Sequence, residues 1–185
     1  MKNLIINLTL LLATVSIEAQ AENFPWSSMH KCRLGSYAFH GLYPEALGQI
    51  ERLQLKQRIT QAWNGSQMSS NVHGTDSILG GKPVTGAIDL SVRCLSDVQI
   101  KSLLAELAGS GFIAWYRKDG LDGWKGPSHI HAVWVHSPLK ASLKRQAISW
   151  MNHKNGLKSD APYSYWQPSE TMVEFIKARY EAANQ

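Results

Sequence analysis

The chain has 185 residues, 44% apolar and 18% charged, with 14 Gly and 7 Pro. That is enough for one domain, too short for two ordinary ones, and unlike a disordered, collagen-like or coiled-coil sequence. Lys and Arg outnumber Asp and Glu by 19 to 14, for a net charge of +5, but no basic run of five exists, which argues against nucleic-acid binding. The single long apolar run lies at the N-terminus, which excludes a polytopic membrane protein.

Residues 1–21 read as a cleaved secretory signal peptide. Lys2 gives a positive start, residues 4–15 are almost continuously apolar, and Ala19 and Ala21 place small residues where a signal peptidase cuts. The apolar run falls short of the roughly 20 residues a span needs. What remains, 22–185, is expected to be one domain, periplasmic or secreted, with no stable membrane insertion after cleavage. In an oxidising compartment Cys32 and Cys94 can form a disulfide. Closing a loop of about sixty residues would contribute about 4 kcal/mol in the chain-entropy picture. Two buried free thiols are the alternative.

Along the remaining chain, 22–43 is irregular and 44–63 reads as a helix. Pro44 suits its first turn, and Leu47, Ile50, Ile59 and Trp63 recur near helical spacing. Residues 69–74 read as extended and 75–85 as a loop with Gly80, Gly81 and Pro83. The stretch 87–92 alternates, Ile88, Leu90 and Val92 on one face and Ala87, Asp89 and Ser91 on the other. Ser96 and Gln99 form a capping box opening a helix to Ala108. A strand over 112–117, a glycine-rich loop over 118–127, a strand over 128–135 and helices ending near Asn152 and Ala182 complete the order. Strand pairs joined by short loops, with helices between, predict an α+β fold: a small, mostly antiparallel sheet with helices packed on it.

The chemistry-bearing residues are histidines and one aspartate. In Ser128-His129-Ile130-His131, the two imidazoles share one strand face, while Ile130, Ala132 and Trp134 face the core. A His-x-His pair on a strand presents metal ligands; two half-exposed histidines on a solvent face are the plain alternative. Asp89 interrupts an apolar strand, and an unpaired buried carboxylate is costly, so it calls for a metal or a salt bridge. With His73 before the intervening loop, and its segment pairing with the Asp89 strand, His73, Asp89 and His131 would make a three-ligand site, the pattern of catalytic zinc.

The segments Val72-His73-Gly74, Thr85-Gly86-Ala87-Ile88-Asp89-Leu90, Gly111-Phe112 and His129-Ile130-His131 resemble the zinc-binding core of the D-alanyl-D-alanine peptidase and Hedgehog group, over roughly a third of the chain. The resemblance implies Zn²⁺ held by His73, Asp89 and His131, and a peptidase acting on peptidoglycan peptides. Residues 75–84 then form an insertion in a hairpin loop. Ser128 stands where the family has an acidic general base, so that role passes to His129. Arg58 and Arg117 are candidates to hold a substrate carboxylate. Asp76 reads as either a partner orienting the His73 ring or a turn residue, and Trp115, Tyr116, Trp124 and Trp134 as either cleft wall or core. A metal- or wall-binding module without catalysis, and a secreted interaction protein with incidental histidines, are the competing functions.

Overall fold

The computed structural model describes Leu34 and residues 39–184. The expected leader over 1–21, and the expected Cys32–Cys94 disulfide because it rests on Cys32, lie outside the described residues.

Helix α1 (Pro44–Arg52) starts on Pro44, whose missing N–H costs nothing in a first turn. It stops eleven residues before the expected end at Trp63. The chain reverses at Gln54, with φ +56, makes a 3-10 turn over Lys56–Arg58 and enters strand β1 (Ile59–Gln61). The apolar spacing of Ile59 and Trp63 mimicked a helix. The β-branched Ile59-Thr60 pair instead suits a strand, and β4 (Ala87–Ser91) offers it an edge.

The segment expected to be extended is a one-turn helix, α2 (Ser70–His73). It does not pair with β4, whose neighbours are β1 and β6 (His129–Trp134). Gly74 closes the turn so tightly that a Cβ there would lie 2.3 Å from the Ser70 carbonyl oxygen. The expected loop over 75–85 holds a hairpin, β2 (Ser77–Leu79) and β3 (Lys82–Val84). It turns at Gly80 and Gly81, both at positive φ.

Helix α3 (Asp97–Gly109) opens on the expected capping box, with Ser96 Oγ accepting from Gln99 N and the Gln99 side chain accepting from Ser96 N. Then come β5 (Phe112–Arg117), β6, α4 (Ala141–Met151) and α5 (Glu170–Asn184). The result is α+β: a four-stranded sheet, antiparallel throughout, in the order β1-β4-β6-β5.

Strand alternation sorts the sheet into two faces. Ile88, Leu90, Phe112, Ala114, Ile130, Ala132 and Trp134 pack with Ile50 of α1 and Leu103, Leu104 and Leu107 of α3. Ala87, Ile113, Trp115 and Val133 pack with Leu143, Ala147 and Trp150 of α4 and Ile176 of α5. Each fully buried Leu or Ile contributes about 1.5–3 kcal/mol. Both faces are therefore covered, so the His-bearing face is an interior one, reached from solvent only where the covering layer leaves a gap.

Among the described residues no helix is long and apolar enough to cross a membrane.

Candidate metal centre

Cross-strand register builds the site. Asp89 on β4 stands directly opposite His131 on β6, and directly opposed residues of an antiparallel pair share a face. His131 Nδ1 lies 2.9 Å from Asp89 Oδ1. His73, at the end of α2, brings Nε2 to 3.1 Å from Asp89 Oδ2. One ligand atom from each of the three lies within 4.8 Å of the others. His73 and His131 are buried.

Burial by itself would raise the Asp89 carboxyl, but the His131 and His73 rings set against its oxygens outweigh it and hold the group far below the ordinary carboxylate range. Burial lowers His131 in spite of Asp89 beside it.

The donor arrangement fits a metal ion. His131 Nε2 lies 3.0 Å from Gln146 Oε1 on α4. An amide oxygen only accepts, and so does the carboxylate at Nδ1, so the ring stands between two acceptors and a neutral imidazole has a proton for one of them. With the ring proton on the Gln146 side, the Nδ1 lone pair and the carboxylate oxygen, 2.9 Å apart, present a cation with two neighbouring donors and a need for positive charge. Burial disfavours a second ring proton, and a metal ion meets the need. His73 Nδ1 is buried with no hydrogen-bond partner among the described residues. Two imidazoles and one carboxylate would leave further coordination positions of a bound ion open.

His129 sits one step outward. Its Nδ1 donates to the Pro127 carbonyl oxygen at 2.8 Å, which turns Nε2 toward the centre, 3.6 Å from Asp89 Oδ1. Trp124 meets its ring edge-on, centroids 5.1 Å apart. The Ser128 hydroxyl is occupied elsewhere, accepting from Asp119 N.

The centre forms the floor of a pocket of about 230 Å³, with Gln61, Arg117 and Gln146 as polar lining and Met68, Val72, Trp124 and Leu157 as apolar walls. Arg117 on β5 is 3% exposed. Its Nη1 donates to Asn155 O at 2.6 Å, and the guanidinium lies over Trp115 at 4.9 Å. Burial pulls it down to about 10, still cationic at neutral pH. The other candidate arginine lies elsewhere. Arg58 is buried and donates to the carbonyls of Ser91 and Arg93 at 3.0 and 3.2 Å, closing the end of β4.

Asp76 does not orient the His73 ring. Its fully buried carboxylate accepts from Gly86 N at 2.7 Å and lies 3.4 Å from Lys140 Nζ. That ammonium donates to Val72 O and Gly74 O, either side of His73, at 2.8 and 2.6 Å. Ser142 Oγ donates to Asn71 O. Trp115, Tyr116 and Trp134 belong to the core, and only Trp124 of the four is a pocket wall. The glycine-rich loop is braced: Gly126 N donates to Asp119 Oδ1, and Ser164 Oγ donates to Asp122 Oδ1.

Gln61, Gln146 and Lys140 were not singled out from the sequence. Gln146 carried one readable sign, a polar residue on the core-facing side of α4 beside Leu143, Ala147 and Trp150. No family model, curated protein or solved structure matches the chain.

Proposed function

We propose that the chain is an exported, zinc-dependent peptidase that hydrolyses stem-peptide bonds of peptidoglycan, of the D-alanyl-D-alanine carboxypeptidase or endopeptidase type. It would be a divergent member of the D-alanyl-D-alanine peptidase and Hedgehog group. The observation that carries this reading is the convergence of His73, Asp89 and His131 on a pocket that also holds a buried, cationic Arg117. No carboxylate among the described residues is within ion-pair distance of that guanidinium. A desolvated cation without an anion is expensive, and the C-terminal carboxylate of a peptide supplies one.

His73, Asp89 and His131 would hold the zinc, which would supply an acidified water and a Lewis acid for the scissile carbonyl. The protein's own groups do the rest. Arg117 fixes the substrate by its carboxylate, and Trp124, Leu157 and Val72 exclude water from its apolar parts. His129, held by Nδ1 on the Pro127 carbonyl, turns Nε2 to the centre and accepts a proton there as water adds to the carbonyl. It returns that proton to the amine as the C–N bond breaks.

Ser128 in place of an acidic base favours a second reading, a metal- or wall-binding module without catalysis. One assay separates the two. Zinc-loaded mature protein is incubated with muropeptides ending in D-Ala-D-Ala and with cross-linked dimers, and products are read by mass spectrometry. A peptidase releases D-alanine or monomers, stops with chelator and resumes with zinc, and His129→Gln slows it by about 10²–10⁴-fold. No released fragment from either substrate would overturn the peptidase reading.

A further inference from the structure

Gln61 is a buried donor with nothing to donate to. Its Nε2 is shielded from solvent and has no hydrogen-bond partner among the described residues, yet the side chain lines the pocket beside the metal centre. A buried amide N–H without an acceptor is costly, and such a group in a pocket points to a ligand that completes it.

The backbone is arranged to place it there. β1 pairs with β4 through Ile59 opposite Leu90 and Gln61 opposite Asp89. Two residues advance on β1 for one on β4, so Thr60 is a bulge, anchored by its Oγ1 donating to Asp89 O at 3.2 Å. In a regular ladder Gln61 would share the Leu90 face with Ile59, in the core. The bulge turns it to the Asp89 face.

Register then aligns a row across the sheet: Gln61 opposite Asp89, Asp89 opposite His131, His131 opposite Trp115. Arg117, two residues beyond Trp115, lies on that same face at the opposite edge strand. Gln61 and Arg117 therefore flank the metal centre from opposite sides. Three strand spacings of 4.7–4.9 Å separate their strands, about 14 Å. An extended peptide covers at most about 3.3–3.6 Å per residue. A free dipeptide anchored at Arg117 thus ends near the metal, while a chain of about four backbone units, such as an N-acylated tripeptide or a longer stem peptide, runs on to Gln61.

We infer that Gln61 is a specificity-determining residue: its amide N–H donates to a backbone carbonyl of the substrate on the N-terminal side of the cleaved bond, selecting longer stem peptides over free dipeptide. This rests on the peptidase reading above.

The test compares D-Ala-D-Ala with diacetyl-L-Lys-D-Ala-D-Ala on zinc-loaded wild type and Gln61→Met, a substitution that keeps volume and removes the donor. The expected result is a wild-type preference for the longer peptide. In Gln61→Met, kcat/KM for that peptide falls about tenfold, one neutral hydrogen bond, while the dipeptide rate and zinc content stay unchanged. Gln61→Glu, which keeps the shape and replaces the donor by an acceptor, gives the same split if the Met variant folds poorly. An equal fall for both peptides, or no fall for either, overturns the role of Gln61 alone. A wild type that cleaves neither peptide overturns the peptidase reading, and the substrate contact with it.

Discussion

Asp89 acquires its chemistry from the period of its strand. Ile88 and Leu90 face one core, so position 89 faces the other side, where His131 stands opposite. That much was legible from alternation alone, because a strand's face is set by counting in twos. His73 was legible as a ligand type but not as a geometry: it hangs from a one-turn helix that depends on Gly74 and on Lys140, both tertiary matters. His136 is half-buried in the structure, against Trp134 with ring centroids 4.2 Å apart. Burial lowers it from 6.5 to about 4. Between those values the unfolded chain takes up a proton that the folded chain refuses, so stability falls as pH drops through that window. His136→Gln should flatten the fall. The ring is partly solvated, so the expected difference between variant and wild type, read as urea midpoints at pH 7 and pH 5, is under about 1 kcal/mol.

Helix α4 and its N-cap are the elements that hold the site together. Lys140 grips the backbone around His73, Ser142 reaches Asn71, and Gln146 meets the His131 ring. One rigid element thus positions ligands from two distant segments. Lys140→Met frees two carbonyls and leaves the Asp76 carboxylate buried without its cation. We expect thermal unfolding to show a loss of about 1–3 kcal/mol, and a chelating dye in competition to show zinc affinity reduced about tenfold or more, with partial recovery in Lys140→Arg. Undiminished affinity in Lys140→Met would remove α4 from the account of the site. The sequence marked α3, β5 and β6 well because capping box, glycine stops and alternation agree there. It misled over 44–63, where apolar residues at helical spacing concealed a reversal at Gln54 and a strand. That error hid Gln61, whose orientation depends on a bulge that pairing with β4 creates.

At the scale of the molecule, helices cover both faces of a four-stranded sheet, and the metal centre lies where the covering is incomplete. Strand order sets an axis across that opening. The Gln61 edge, the Asp89–His131 pair and the Arg117 edge follow in sequence, which would give the proposed peptide substrate a direction in which to lie. The strand pattern announced the antiparallel sheet. It did not announce that the His face would be an interior one, because Asp, His and Ser on alternate positions look the same whether solvent or α4 covers them.

The most direct test of the account is the metal content of the chain from residue 22 onward, by elemental analysis after purification without chelator or metal-affinity resin, beside His73→Ala and His131→Ala. The account predicts about one zinc per chain in the wild type, lost in both variants while each keeps its fold by circular dichroism. A wild type that stays metal-free after zinc is added, or folded variants that retain the metal, would contradict it.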